Sequence, residues 1–181
     1  MIRFLFRKML KSMQNRYDYD VRYANKILDT DQGAFLKYLG FQIMASHTGG
    51  IPAAPVYAAR LRAIIWDDCG PCTQLITNMA LEANVDPNVV HAIIKRDVDS
   101  LPDDIALVVE FSEHVLAHNP SADALREKIV NLWGMKGLVA ISFAISSTRV
   151  FPALKYSMGY GNVCSRVQVN DQTLTPQRQS L

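Results

Sequence analysis

Cysteine is scarce in this chain, its first sixteen residues contain no acid, and it has no long apolar run. Three cysteines in 181 residues are too few for a secreted disulfide scaffold. A sparse, odd count suits a reducing compartment, so a cytoplasmic location is expected. The formal net charge is only +2, and Lys and Arg are not massed beside an aromatic platform. Nucleic acid is therefore not an expected partner. No run reaches the roughly 18 apolar residues that a membrane-crossing helix needs. The best candidate, 138–145, soon meets Arg149. No repeat and no long linker divides the chain, so one domain with a sizeable core is expected.

What is present begins with a basic arm. Residues 1–16 carry Arg3, Arg7, Lys8, Lys11 and Arg16. Ile2, Leu5, Phe6, Met9 and Met13 recur at helical spacing, which predicts an amphipathic helix. It reads as an arm docked on this subunit or a neighbour, as a contact with a membrane surface, or as a targeting peptide.

Helical signals dominate the domain that follows, residues 17–169. Helices are expected over 17–28 and 35–46, then from 56 to 65 after the Gly- and Pro-broken stretch 48–55. Asp67 or Asp68 is placed to cap the next helix, whose Cys72, Leu75, Ile76, Met79, Ala80 and Ala83 form an apolar face. Asp86–Pro87 is a capping carboxylate followed by proline at the first helical position. Ser100 and Asp103 fit a capping box. Ile105, Val108, Val109, Ser112, Val115 and Leu116 form the next stripe. Ser121 opens a helix that Gly134 closes, and a last helix spans 136–158, bent near Pro152. Only 163–169 reads as extended, and 170–181 as a polar, frayed tail. The fold class is all-α, with about eight helices.

The chemistry-bearing motif is Cys69–Gly70–Pro71–Cys72 at a helix start. A thiol acts as a nucleophile only as its thiolate, which the first-turn N–H groups stabilise. Asp67 and Asp68 oppose this by like-charge repulsion if ionised, or serve as proton carriers. The pair reads as a redox dithiol. Half of a zinc site lacks two further ligands, and two inert buried thiols are the bland alternative. Thioredoxins carry the same four residues, but no βαβ alternation surrounds them here. No cofactor and no metal is expected. His114 and His118 share a helical face without a nearby carboxylate in the pattern, and they read as a solvated face. Arg149 interrupts an apolar helix and is expected to pair with Glu110 or Glu113, or to bind an anion.

Residues 53–161 resemble the carboxymuconolactone decarboxylase and alkylhydroperoxidase D-like family. The resemblance rests on 66–75 around the cysteines, 79–87, 109–112 and 141–149. It implies an all-helical subunit that assembles as a trimer or hexamer. In the peroxidase branch a disulfide forms between the two cysteines during peroxide reduction, Cys72 attacking and Cys69 resolving, although helix position favours Cys69 as readily. That branch also has a histidine four residues after the second cysteine and a glutamate about twelve before the first. Here those positions hold Ile76 and Tyr57, so both relay groups are missing. Slow peroxide turnover follows, since general-base help is worth about 10²- to 10⁴-fold. Asp67, Asp68, Tyr57 and His47 are the local replacements.

The expected function is thiol-dependent reduction of a peroxide or disulfide by Cys69 and Cys72, with Asp68 and Tyr57 in support. A low-molecular-weight or protein thiol would be the reductant, in a homo-oligomer. A non-catalytic helical ligand- or partner-binding protein is the alternative, with a decarboxylase-type lyase third.

Overall fold

The computed structural model describes residues 2–161 and 166–178. Eight α-helices and one 3-10 turn dominate the described residues: α1 (Ile2–Tyr17), α2 (Arg22–Thr30), α3 (Gln32–Ala45), α4 (Ala53–Trp66), α5 (Gly70–Glu82), α6 (Pro87–Lys95), the turn Val98–Ser100, α7 (Asp103–Leu116) and α8 (Ala122–Ser157). A two-stranded antiparallel hairpin, β1 (Val167–Val169) and β2 (Gln172–Leu174), pairs Val167 with Leu174. The chain is an all-α bundle, as its periodicity predicts.

Helix α4 is the axis. It packs on α5, α6, α7 and α8, and ten of its fourteen residues are buried. Such a helix must be apolar nearly all round. Its Leu61, Ile64 and Ile65 are at most 2% exposed, and each contributes about 1.5–3 kcal/mol by leaving water. Two arginines, Arg60 and Arg62, are buried with them. The loop before α4 approaches α8 closely at Gly49. Its φ is +60°, and a Cβ there would lie 2.6 Å from the Lys136 carbonyl oxygen. Only glycine fits both demands.

Several local expectations are corrected. The predicted helix 17–28 is broken: α1 runs on to Tyr17, Asp18 takes φ +49°, and α2 starts at Arg22. Asp86 caps α6 as expected, accepting from the Asn88 N–H at 2.8 Å. The capping box at Ser100 does not form. Pro102 is the N-cap of α7, and Ser100 donates to Asp97 instead. Gly134 does interrupt α8, with φ +67° and ψ −174°. By length and composition, α8 is long and apolar enough to cross a membrane, which the shorter run 138–145 did not reveal. It packs against α3, α4 and α7.

The arm docks on its own subunit, and its apolar face is split. Leu10 is buried, Phe6 lies 5.1 Å from the Phe35 ring, while Ile2, Leu5 and Met9 stay exposed. The tail is not frayed over its described part. Gln177 donates its N–H to the Ile94 carbonyl, and Arg178 reaches Asp68 at 2.8 Å.

A buried charge cluster joins these parts. Glu113 of α7 forms ion pairs with Arg62 at 2.6 Å and with Arg96 at 2.9 Å, and accepts from Arg96 Nε at 3.0–3.1 Å. Arg62 also donates to the carbonyls of Ile93 and Gln177, each at 2.9 Å. This corrects the expected partner of Arg149, which is neither Glu110 nor Glu113.

Candidate active site

Cys69 stands at the N-cap of α5, and Gly70 and Pro71 form its first turn. The turn tolerates proline because first-turn N–H groups have no helical partner. The Cys69 carbonyl accepts from the Thr73 N–H and the Thr73 hydroxyl, at 2.8 and 2.9 Å. Cys69 and Cys72 are joined as a disulfide with Cα atoms 5.2 Å apart. Both are buried, Cys69 fully and Cys72 to 3% exposure.

The two sulfurs are not equivalent. Cys72 forms part of the wall of a cavity of about 420 Å³, and Cys69 does not. The rest of the wall is mostly apolar and comes from six helices, including Met13 of α1, Val56 and Ile64 of α4, Leu75 and Met79 of α5, and Phe151 of α8. Tyr57 and Ile76 line it too. The two positions where the resembled family carries its relay therefore flank one space with Cys72, but they bring no carboxylate and no imidazole to it.

The remaining predicted residues lie elsewhere. Asp67 is held by Arg149 through three hydrogen bonds of 3.0–3.2 Å. Asp68, with φ +56°, meets Arg178, and its carbonyl accepts from the Tyr156 hydroxyl at 2.8 Å. Neither aspartate lines the cavity or caps α5 with its side chain. His47 is exposed and stacks edge-on against Phe143 at 5.5 Å. Cys164 lies outside the described residues. His114 is on α7 but His118 lies past its end, with φ +55°. No group of three or more His, Cys, Asp or Glu able to hold a metal occurs among the described residues.

Two residues that sequence reasoning passed over complete the site. The Tyr19 hydroxyl lies 3.6 Å from Cys72 Sγ, and Lys155 Nζ donates to that hydroxyl at 3.5 Å. Lys155 is 1% exposed. Its ammonium sits 4.5 Å from the Tyr19 ring centroid and 5.4 Å from that of Tyr23. Tyr23 in turn shares a 2.8 Å hydrogen bond with Tyr38. Burial raises the phenols of Tyr19, Tyr23 and Tyr38 above their usual value, so all three stay protonated. Burial also lowers the Lys155 ammonium, which Asp20 opposes and Arg22 reinforces.

One further polar group faces the cavity. Arg60 donates to the Ala45 carbonyl and lies over the Tyr57 ring at 4.9 Å. Its Nε has no partner among the described residues.

The sequence does carry a signal for Lys155. It continues the buried stripe Ile141, Ala144, Ile145, Thr148 and Pro152, where a cation is out of place. Tyr19 has no comparable signal, because its position depends on the break between α1 and α2. Compared with protein-family models, curated proteins and solved structures, the chain matches none.

Proposed function

We propose that this protein is a thiol-dependent oxidoreductase that reduces a small organic peroxide or disulfide through Cys69 and Cys72, as in the alkylhydroperoxidase-like family it resembles. The observation that carries this reading is the bonded cysteine pair with one sulfur, Cys72, in the wall of an apolar cavity. A buried pair favours a small substrate over a folded protein disulfide. With a hydroperoxide, the Cys72 thiolate attacks the terminal oxygen, the O–O bond breaks, and the alcohol leaves after gaining a proton. The Cys69 thiol then condenses with the sulfenic acid, releasing water and closing the disulfide. Two equivalents of a low-molecular-weight thiol reopen it and leave as their own disulfide. Such a cycle belongs in a reducing compartment such as the cytoplasm.

The reading is tested by reducing the protein, adding one equivalent of an alkyl hydroperoxide, and trapping free thiols by alkylation. Trypsin releases both cysteines in one peptide, residues 63–95. That peptide should lose two hydrogens and resist alkylation until reduced. A bond from either cysteine to Cys164, or thiols that stay free, would overturn the proposal.

The cavity also favours a second reading, non-catalytic binding of an apolar ligand with an anionic end near Arg60. In that case a medium-chain carboxylate binds the wild type and a Cys69→Ser/Cys72→Ser variant equally well, and no thiol cycle is seen.

We also propose that the subunit self-associates. Met135, Val139 and Phe143 recur every four residues on α8 and are 62%, 39% and 36% exposed. Ile43 of α3, 74% exposed, lines one shallow hollow with Met135 and Val139. A second copy would cover this apolar surface. Light scattering at micromolar concentration should give a multiple of 20.3 kDa, reduced by Val139→Asp. A monomer mass unchanged on raising the concentration would refute the assembly.

A further inference from the structure

We propose that Tyr19 and Lys155 hold the Cys72 sulfur as its thiolate in the reduced protein, Tyr19 donating a hydrogen bond to Sγ and Lys155 supplying the positive charge behind it. The inference rests on the redox reading above and names what stands in for the missing relay. It also assigns the nucleophile, since Cys72 and not Cys69 meets both the cavity and this pair.

The direction of the hydrogen bonds follows from chemistry. A disulfide sulfur carries no hydrogen, so in the 3.6 Å contact Tyr19 must be the donor. Its oxygen lone pair is then free to accept from the Lys155 ammonium, as the 3.5 Å contact requires. The charge of Lys155 has no carboxylate within ion-pair distance among the described residues, whereas Arg62 has Glu113.

The other groups around Cys72 do not supply that anion. Asp20, between α1 and α2, is bound to Arg22 by three hydrogen bonds of 2.8–3.0 Å. From α2 comes Tyr23, linked to Tyr38 of α3. From α4 come Tyr57 and Arg60, a cation against a ring. Asp67 and Asp68, ahead of α5, are engaged by Arg149 and Arg178. On α5 itself Cys72 is the third residue, where the positive end of the helix favours negative charge. A thiolate there would neutralise Lys155, and Lys155 would favour the thiolate in turn.

The pair also settles where protons go. When an external thiol opens the disulfide at Cys69, Cys72 leaves as the thiolate that Tyr19 and the Lys155 ammonium hold, and the attacking thiol gives its proton to water. When the thiolate attacks a hydroperoxide, the departing alkoxide takes a proton from the Tyr19 hydroxyl, which is refilled from the Lys155 ammonium. The neutral amine regains its proton from water. Tyr19 touches the reacting sulfur, and Lys155 acts through it as a positioning residue.

The experiment follows iodoacetamide alkylation of Cys72 against pH in a Cys69→Ser/Cys164→Ser background. In Lys155→Met the alkylation midpoint should move up by about one pH unit, so the rate at neutral pH falls about tenfold, because only the thiolate reacts. Tyr19→Phe should move it in the same direction by less, and Lys155→Arg should restore it. An unmoved midpoint in folded Lys155→Met overturns the proposal. If that variant does not fold, an unmoved midpoint in Tyr19→Phe overturns it. Unmutated protein that still cycles between dithiol and disulfide while the midpoint stays put refutes the Tyr19–Lys155 role alone. Failure of the unmutated protein to cycle refutes the redox function itself.

Discussion

Arg62 and Lys155 are both buried almost completely, at 2% and 1% exposure, yet the protein treats their charges differently. Arg62 is matched at 2.6 Å by Glu113, and its two terminal nitrogens also find the Ile93 and Gln177 carbonyls. Lys155 meets two aromatic faces and one phenol. The first arrangement gives its cation a carboxylate partner and ties α4, α6, α7 and the tail together. The second is unbalanced, and its missing anion can be supplied by the sulfur on the far side of Tyr19. A buried cation with its own carboxylate belongs to the architecture. One without a carboxylate, beside the cysteine pair, is where the proposed cycle puts negative charge.

The comparison breaks first at Glu113. Glu113→Ala leaves Arg62 and Arg96 facing each other unneutralised, and should destabilise the protein by about 3–5 kcal/mol, read from urea unfolding midpoints. A loss under about 1 kcal/mol would show that the cluster is not architectural.

Arg96→Met is milder, because Arg62 still matches Glu113. Losing its charged hydrogen bonds should cost about 1.5–3 kcal/mol in the same assay. The thiol alkylation midpoint should stay where it is, since Arg96 does not line the cysteine cavity.

Lys155→Met should have the opposite sign in stability. It removes the burial cost of a lone ammonium and gives up two cation–π contacts, so the net should be between no change and a gain of about 2 kcal/mol. A loss of stability like that of Glu113→Ala would place Lys155 with the architecture.

A third, exposed case sharpens the contrast with the smallest effect. Glu82, at the end of α5, accepts from Arg16 at 2.9–3.0 Å and from the Tyr17 hydroxyl at 2.6 Å. These partners hold its carboxyl below the usual value of 4.5, Arg16 contributing most. A depressed acid stabilises the folded form above its unfolded value, and that contribution is lost as pH falls through the folded one. Acidification below about 4.5 should therefore loosen the arm and speed amide exchange in α1. At the alkaline end Tyr17, raised to about 12 mainly by burial, stabilises below 10, and that contribution is lost as pH rises toward its folded value. Exchange in α1 that does not respond to acid would show that Phe6, Leu10 and Met13 hold the arm without Glu82.

The bundle was legible in the sequence because helical periodicity, Asp86–Pro87 and the Gly134 break are local signals. The helix over 17–28 failed for a physical reason. Tyr17 packs with the arm and bonds Glu82, so the chain turns at Asp18, and periodicity alone does not register that contact. The capping role given to Asp68 failed because Arg178, 110 positions further along, engages that carboxylate.

The sequence alone determined that Cys69 and Cys72 stand together at a helix start, since spacing and a helix start are properties of neighbouring residues. It also determined that Ile76 and Tyr57 bring no imidazole or carboxylate to the relay positions. Tertiary packing alone decided which sulfur faces the cavity and which aspartates are tied up in ion pairs. It also decided that a tyrosine from the α1–α2 break and a lysine from the last helix converge on Cys72. Tyr19 and Lys155 are separated by 136 residues. No local rule of propensity or capping acts over that distance, whereas the burial of α4 and α8 against each other does.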